Sequence, residues 1–251
     1  MSRVAVVTGG ASGVGRSIVE HLARAGNHVA VVDLDADAAT ALADDLADDL
    51  AADRIKVIGC GVDVADRAAI EVAYEQVRTT LGPIEILVTS AAISGFARFQ
   101  EITADQWQRT LDVNLTGTFH CVQAAIGDMV AARWGRIVTI SSAAGQTTSP
   151  RQAHYSASKG GVIAMTKTLA AEFGRKGITA NTVAPFTVDT PMLRDAQQTG
   201  NLPPTEVITG MIPAGRLGTV DDIGAACAFL CSDDASFITG QVIAPNGGAV
   251  I

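Results

Sequence analysis

The chain has 251 residues, of which 48% are hydrophobic and 18% charged, and it carries a formal net charge of −8 at pH 7. This length suits one large α/β domain or two small ones, and the apolar content allows a sizeable core and argues against disorder. The negative charge disfavours a nucleic-acid partner, and no apolar run is long enough to span a bilayer.

The cysteine pattern and the start of the chain bear on its compartment. None of the four cysteines forms a C-x-x-C pair, and Cys227 and Cys231 stand one helical turn apart in an apolar run. Buried thiols are therefore expected rather than a metal site or a disulfide. The first ten residues lead directly into a strand and a loop, which leaves no room for a signal peptide. We expect a reduced cytoplasmic protein without a membrane segment.

A glycine-rich turn follows the first predicted strand, which covers residues 4–7, and precedes a predicted helix over residues 12–25. Gly9 permits an uncommon backbone angle, whereas Gly13 and Gly15 let the backbone approach a pyrophosphate at the helix N-terminus. The spacing is G-x-x-x-G-x-G rather than the G-x-G-x-x-G of the usual dinucleotide fingerprint. Taken alone, the turn is equally consistent with a plain connection between strand and helix.

A second apolar run, residues 28–33, ends in Asp33, eighteen residues after Gly15. A carboxylate at this place can accept hydrogen bonds from both hydroxyls of an adenosine ribose and would repel a 2′-phosphate, so we expect NAD rather than NADP. The alternative is an acidic turn residue before the next helix. Arg16 could indicate a phosphate site instead, but an arginine in a first helical turn is commonly solvated.

The remaining segments alternate between apolar runs and amphipathic helices. Strands are predicted at 55–62, 84–88, 135–140, 178–184 and 237–244, and helices at 35–52, 67–81, 103–133, 153–175 and 220–230. This alternation predicts an α/β fold with a doubly wound parallel sheet, formed by a single domain over residues 1–251. Residues 186–217, rich in proline and glycine, are expected to form an irregular substrate-binding loop.

Tyr155 and Lys159 are four residues apart, so on a helix both side chains lie on one face. The ammonium favours phenolate and is expected to lower the tyrosine pKa towards working pH. Ser142 lies thirteen residues upstream, just after a predicted strand. Asn114 interrupts the predicted 103–133 helix; it is either a polar kink or, as we prefer, an amide facing the cofactor cleft.

These features together resemble the short-chain dehydrogenase/reductase family over essentially the full length. They comprise T-G-G-A-S-G-V-G at 8–15, Asp33, Asp63-Val64, Asn114, Ser142 and Y-S-A-S-K at 155–159. The resemblance implies a Rossmann-type domain of about seven parallel strands with bound NAD. It also implies catalysis by Ser142, Tyr155 and Lys159, with Asn114 holding a water that links Lys159 to solvent, and it leaves Ser141 a structural role.

The resemblance further implies the cofactor contacts and the assembly. Asp63 would hold the adenine amine, Thr190 would meet the nicotinamide carboxamide, and a homotetramer is typical of the family. The implied contacts are Gly9, Ser12, Gly13, Val14, Gly15, Asp33, Leu34, Asp63, Val64, Ser90, Ala91, Tyr155, Lys159, Pro185, Val188 and Thr190. The chain departs from the family pattern in T-S-A-A at 89–92 for N-N-A-G, P-F at 185–186 for P-G, and N-G-G at 246–248 for D-G-G.

The expected substrate is a largely apolar secondary alcohol or ketone. The candidate pocket residues are Ile93, Ser94, Phe96, Ala143, Gln152, Phe186, Met192, Leu193 and Met211. His154 could touch the substrate or simply begin a helix, and Arg98, Arg151 and Arg194 could bind an acidic tail or lie on the surface. Two alternatives stay open: a 3-oxoacyl-thioester reductase acting on carrier-protein or CoA substrates, and a regulator that binds NAD without turnover.

Overall fold

The structure is a computed structural model that describes residues 2–250, so residues 1 and 251 of the predicted domain lie outside it. Its strands form one parallel sheet in the order β3-β2-β1-β4-β5-β6-β7. They are Val4–Thr8 (β1), His28–Asp33 (β2), Val57–Gly61 (β3), Ile86–Thr89 (β4), Gly135–Ile140 (β5), Ile178–Val183 (β6) and Val242–Ile243 (β7). The predicted fold class is confirmed.

Nine α-helices occur over residues 2–250. They are Gly13–Arg24 (α1), Ala36–Asp49 (α2), Arg67–Thr80 (α3), Ala104–Leu111 (α4), Gly117–Ala132 (α5), Ala153–Phe173 (α6), Pro191–Gln198 (α7), Thr205–Met211 (α8) and Val220–Cys231 (α9). In this part of the chain no helix combines the length and the apolar character needed to cross a membrane.

Two apolar cores lie on opposite faces of the sheet. Along β1, Ala5 and Val7 contribute to the core shared with α1, α2 and α9, whereas Val4 and Val6 contribute to the core shared with α3, α5 and α6. Successive side chains of a strand point to opposite faces, so a strand buried on both sides is apolar throughout. The strand order reverses between β1 and β4, and the cleft beyond the carboxyl ends of these two strands is where such folds bind ligands.

The last strand is much shorter than the predicted 237–244, because the chain turns before it joins the sheet. Phe237 is fully exposed, and Gly240 has a left-handed backbone with φ of 72°. A side chain supplements two backbone hydrogen bonds here: Asn181 of β6 donates to the Ile238 carbonyl at 2.7 Å and accepts from the Gln241 amide at 3.1 Å. Only Val242–Ile243 pairs regularly with β6.

Two other segments differ from the predictions. The predicted 103–133 helix is divided by a π-helical turn, Asp112–Thr116, into α4 and α5. The predicted irregular 186–217 segment contains α7 and α8. Helix α7 begins where the Thr190 hydroxyl accepts a hydrogen bond from the Leu193 amide, and Pro191 occupies the first helical turn, where its missing N–H costs nothing.

Candidate active site

One cavity of about 600 Å³ opens at the carboxyl ends of the central strands. Its lining contains every residue that the sequence assigned to cofactor binding or catalysis except Asn114. These are Gly9, Ser12, Gly13, Val14, Gly15, Asp33, Leu34, Asp63, Val64, Ser90, Ala91, Ser142, Tyr155, Lys159, Pro185, Val188 and Thr190. Residues up to 181 positions apart are thus brought to one site.

The turn between β1 and α1 requires glycine. Gly9 and Gly13 have positive φ angles of 65° and 51°, and a Cβ on Gly9 would lie 2.7 Å from the Ala91 backbone. A Cβ on Gly15 would lie 1.9 Å from the Gly9 carbonyl oxygen. Ser12 precedes α1 and makes no capping hydrogen bond, so its hydroxyl can serve a ligand. The backbone amides at this helix start fit a pyrophosphate.

Asp33 ends β2 with its carboxylate fixed by backbone amides. Oδ2 accepts from the Ala11 amide at 2.9 Å and Oδ1 from the Asp35 amide at 3.2 Å, which leaves each oxygen a further lone pair. Arg16 is held by Glu20, with Nε 2.9 Å from Oε1, which agrees with the surface role expected for it. The carboxylate therefore fits a ribose diol.

Asp63 is paired with a residue that the sequence did not indicate. Oδ1 accepts from the Ala65 amide at 2.9 Å, and Oδ2 accepts from Nη2 of Arg109 at 3.0 Å. Burial alone would raise the pKa of Asp63, but these hydrogen bonds outweigh it and hold the pKa below its usual range. Arg109 lines the same cavity from α4. It lies 46 residues from Asp63, and no local pattern connects the two.

Lys159 is almost completely buried, at 2% exposure, on the inner face of α6. Its Nζ donates to the Ile140 carbonyl at the end of β5 at 2.8 Å and lies 5.8 Å from the centroid of the Tyr155 ring. Burial disfavours the ammonium and lowers its pKa to about 8. The lysine is thus positioned beside the tyrosine, as the i, i+4 spacing predicts.

Tyr155 differs from its predicted electrostatics. Burial raises the pKa of its phenol, and a hydrogen bond with Ser142 only partly opposes this. The predicted lowering by Lys159 is therefore wrong for the protein by itself, because desolvation outweighs the distant ammonium. Ser142 also accepts from the Ala144 amide at 3.2 Å. The Ser141 hydroxyl donates to the Lys159 carbonyl at 2.9 Å, which fits the structural role expected for it.

The Asn114 amide does not face the cleft, so that expectation is wrong. Its oxygen accepts from the Ile93 amide at 2.8 Å, and its nitrogen donates to the Ile93 carbonyl at 2.9 Å and to Ser158 at 3.1 Å. The side chain is fully buried and does not itself line the cavity, although Ile93, which it binds, does. It connects the π-helical turn, the segment after β4 and helix α6.

The part of the cavity assigned to substrate is largely apolar on the side of α7 and α8. All nine candidate pocket residues line it: Ile93, Ser94, Phe96, Ala143, Gln152, Phe186, Met192, Leu193 and Met211. Phe186, which replaces a glycine of the family pattern, packs against a small core of Leu193, Ile208 and Ile212. The aromatic ring therefore belongs to this helical wall.

The four other candidates do not line the cavity. His154 is buried, and its Nδ1 has no partner among residues 2–250. Arg194 pairs with Asp189 at 3.0 Å, and Arg151 donates to Asn201 at 2.8 Å. Arg98 lies on the surface. None of the three arginines therefore offers its charge to a substrate inside the cavity.

The replacement of the family N-N-A-G by residues 89–92 is structurally mild. Ala92 does not adopt a left-handed backbone, so a Cβ is tolerated there. The amides of Ser90 and Ala91 bond to Thr8, which fixes the segment to β1. The buried hydroxyl of Thr89 has no partner within the described residues. Ser90 and Ala91 nevertheless remain on the cavity wall.

Comparison with known proteins connects this site to a family. Residues 9–250 match the family model described as enoyl-(acyl carrier protein) reductase. D-threitol dehydrogenase of Mycolicibacterium smegmatis is 39% identical over 99% of this chain and 93% of its own. Acetoacetyl-CoA reductase of Shinella zoogloeoides is 41% identical over 99% of this chain and 98% of its own.

A solved structure supports the same relationship. The crystal structure of gox2181 superimposes with a TM-score of 0.90 at 34% identity, covering 99% of this chain and 95% of that one. The match therefore extends over the sheet, the glycine turn and the helices on both faces. This chain belongs to the short-chain dehydrogenase/reductase family of oxidoreductases.

Proposed function

We propose that this oxidoreductase uses NAD and interconverts a secondary alcohol and a ketone, as one catalytic domain over residues 1–251 with residues 186–217 as its substrate-binding region. The observation that carries the proposal is the convergence of Ser142, Tyr155 and Lys159 on the cavity that also contains the glycine turn. The four free, buried cysteines are in keeping with a cytoplasmic location.

The cofactor residues have distinct roles in this proposal. Asp33 accepts hydrogen bonds from the adenosine ribose hydroxyls, and its negative charge selects against a 2′-phosphate. Ser12 and the amides around Gly13–Gly15 hold the pyrophosphate. Asp63 and Val64 contact the adenine, Thr190 contacts the nicotinamide carboxamide, and the family's oxidoreductases use nicotinamide cofactors. The other contacts assigned to the cofactor are Gly9, Leu34, Ser90, Ala91, Pro185 and Val188.

The catalytic residues divide the handling of the proton and the substrate oxygen. When bound, the nicotinamide donates or accepts the hydride. Tyr155 gives its proton to the substrate oxygen during reduction and takes it during oxidation, while Ser142 donates a hydrogen bond that stabilises negative charge on that oxygen. Lys159, with a pKa of about 8, is mostly charged at neutral pH, and its charge opposes the rise that burial causes in the Tyr155 pKa without reversing it. Asn114 acts as a positioning residue.

Removal of the Tyr155 hydroxyl tests this proposal. We expect wild-type enzyme to turn over members of a panel of secondary alcohols and ketones with NAD, and Tyr155→Phe to lose at least ~10²-fold in kcat. Tyr74→Phe is the matched control, because the other tyrosine is fully buried in the core on α3 and does not line the cavity. Near wild-type turnover by Tyr155→Phe would contradict the mechanism.

A second candidate function is reduction of a 3-oxoacyl thioester. The similarity to acetoacetyl-CoA reductase favours it. The same panel, extended to acetoacetyl-CoA, separates the two, because a thioester reductase would prefer that substrate over simple ketones by orders of magnitude. NADH binding without turnover of any member would instead favour the non-catalytic regulator.

We also propose a homotetramer. Large apolar side chains remain exposed on α5, on α9 and beside the C-terminal strand, among them Phe119, Phe229 and Phe237. These exposed side chains lie on helices from both faces of the sheet and at its edge, which suits contacts with more than one copy. Light scattering coupled to size-exclusion chromatography should give about four times the chain mass of 25.8 kDa; a monomer would contradict the proposal.

A further inference from the structure

A chain of hydrogen bonds follows one wall of the cavity in the part assigned to substrate. The Ser149 hydroxyl lies 2.6 Å from Oε1 of Gln152, and Nε2 of Gln152 lies 2.9 Å from Oγ of Ser94. All three residues line the cavity, and Gln152 is only 8% exposed. A buried amide of this kind is arranged by its partners rather than by solvent.

The direction of this chain is fixed by chemistry. An amide oxygen only accepts, so Ser149 must donate to Gln152; an amide nitrogen only donates, so the Ser94 oxygen must accept. The Ser94 hydroxyl hydrogen and the second N–H of Gln152 consequently remain for another acceptor. Within residues 2–250 no side-chain or backbone acceptor takes either hydrogen. Two donors are thus left at the cavity wall.

No charged side chain lines the cavity beside these donors; the nearby Arg151 lies behind Phe96 and donates to Asn201. The charged side chains that line the cavity are Asp33, Asp63, Arg109 and Lys159, and none belongs to the wall formed by residues 93–96, 143–152 and 186–211. Apolar residues of this wall include Phe186, Met192 and Leu193. An ionised group would be poorly compensated here, whereas a neutral oxygen would satisfy the donors.

We infer that Ser94 and Gln152 recognise a second, neutral oxygen of the substrate, a hydroxyl or carbonyl close to the reacting carbon. This inference rests on the proposed function and narrows its substrate class to diols, hydroxyketones and dicarbonyl compounds. A substrate without that oxygen offers no acceptor to these two donors, one of which belongs to the nearly buried Gln152, and sites built to bind a substrate oxygen discriminate against analogues that lack it. Ser94 and Gln152 are then specificity-determining residues.

Paired probes test the inference in both directions. Oxidation with NAD compares 2,3-butanediol with 2-butanol, and reduction with NADH compares ethyl acetoacetate with 2-pentanone. We expect the wild type to have at least about tenfold higher kcat/KM for the member with the second oxygen. The diol pair reports a hydroxyl, and the ester pair reports a carbonyl.

Variants locate the effect. Ser94→Ala and Gln152→Leu should each lower kcat/KM about tenfold for the doubly oxygenated member and leave the simple analogue within about twofold. Thr147→Val is the matched control for the preference. Thr147 lines the same wall, but its hydroxyl already donates to the Ala143 carbonyl at 3.1 Å, so the ratio between paired probes should not change.

Equal wild-type kcat/KM within both pairs, or a parallel loss for both members in Ser94→Ala and Gln152→Leu, would overturn the inference and leave the proposed function intact. The parallel loss would mean that the chain only shapes the wall. Absence of turnover with all four probes and a wider alcohol and ketone panel, despite NADH binding, would overturn both.

Discussion

Asp33→Asn should weaken the preference for NADH over NADPH while leaving the fold unchanged. The asparagine side chain keeps one oxygen, which can still accept the hydrogen bond from the Ala11 amide. Only the Asp35 amide therefore loses its partner. The lost contact to the Asp35 amide is the longer one, at 3.2 Å, and is exposed, so the unfolding free energy should fall by less than about 1 kcal/mol.

The size of the effect follows from the charge removed. A carboxylate about 5 Å from a phosphate repels each of its negative charges by about 3 kcal/mol at an effective dielectric constant of about 20. Salt and the partial exposure of Asp33 reduce this, so we expect a net change of about 3 kcal/mol for a phosphate carrying nearly two charges. That corresponds to a change of about 10²-fold in the NADH/NADPH affinity ratio.

Nicotinamide fluorescence titration at fixed ionic strength measures both affinities without a substrate. Asp35→Asn is the matched control: it removes the same charge two residues away, but its side chain caps α2 and does not line the cavity. An unchanged affinity ratio in Asp33→Asn, or an equal change in both variants, would refute the assignment of Asp33 to the ribose.

Two further predictions concern the turn and the buried lysine. Gly15→Ala places a Cβ 1.9 Å from the Gly9 carbonyl oxygen, so it should lower the unfolding free energy by about 2 kcal/mol and remove most of the NADH affinity. The control is Gly127→Ala on α5, where the space around the residue is open; it should raise the unfolding free energy by up to about 1 kcal/mol. Urea unfolding measures the stability of both variants, and nicotinamide fluorescence titration measures their NADH affinity. Wild-type affinity in Gly15→Ala would contradict the tight turn. The Lys159 pKa of about 8 lies below the ordinary 10.5, so burying its charge costs stability below pH 8, and this cost is relieved as the pH rises from 8 towards 10.5. In cofactor-free protein, the difference in unfolding free energy between Lys159→Met and wild type should therefore shift by about 1 kcal/mol in favour of wild type from pH 7 to pH 9; a constant difference would contradict it.

The sequence predicts best what local spacing determines. The glycine turn, the carboxylate at the end of β2 and the i, i+4 pair on α6 each depend on a few neighbouring residues, and all of them reach one cavity. The doubly wound sheet follows from the alternation of buried strands and amphipathic helices.

The structure differs from the predictions where contacts between residues far apart in the chain determine the position or the pKa of a side chain. Arg109 meets Asp63 across 46 residues, and the direction of the Tyr155 pKa shift depends on how much protein covers the phenol. The Asn114 amide binds Ile93 rather than facing the cleft, a choice that its neighbours in the chain do not reveal. Helices α7 and α8 are short and depend on proline and a threonine cap, so their apolar periodicity is weak.

The amide at position 114 has a consequence for how mutants of this enzyme are interpreted. Even Asn114→Asp, which keeps the shape, would place an acceptor against the Ile93 carbonyl. The Ser158 hydroxyl could donate to the new carboxylate only by giving up its hydrogen bond to the Tyr155 carbonyl. The hydrogen bonds that connect the Ile93 main chain to helix α6, which carries Tyr155, would therefore be weakened at the same time. Loss of activity in a variant at this position would therefore indicate that Ile93 and helix α6 have moved, and a chemical role for the amide would need separate proof.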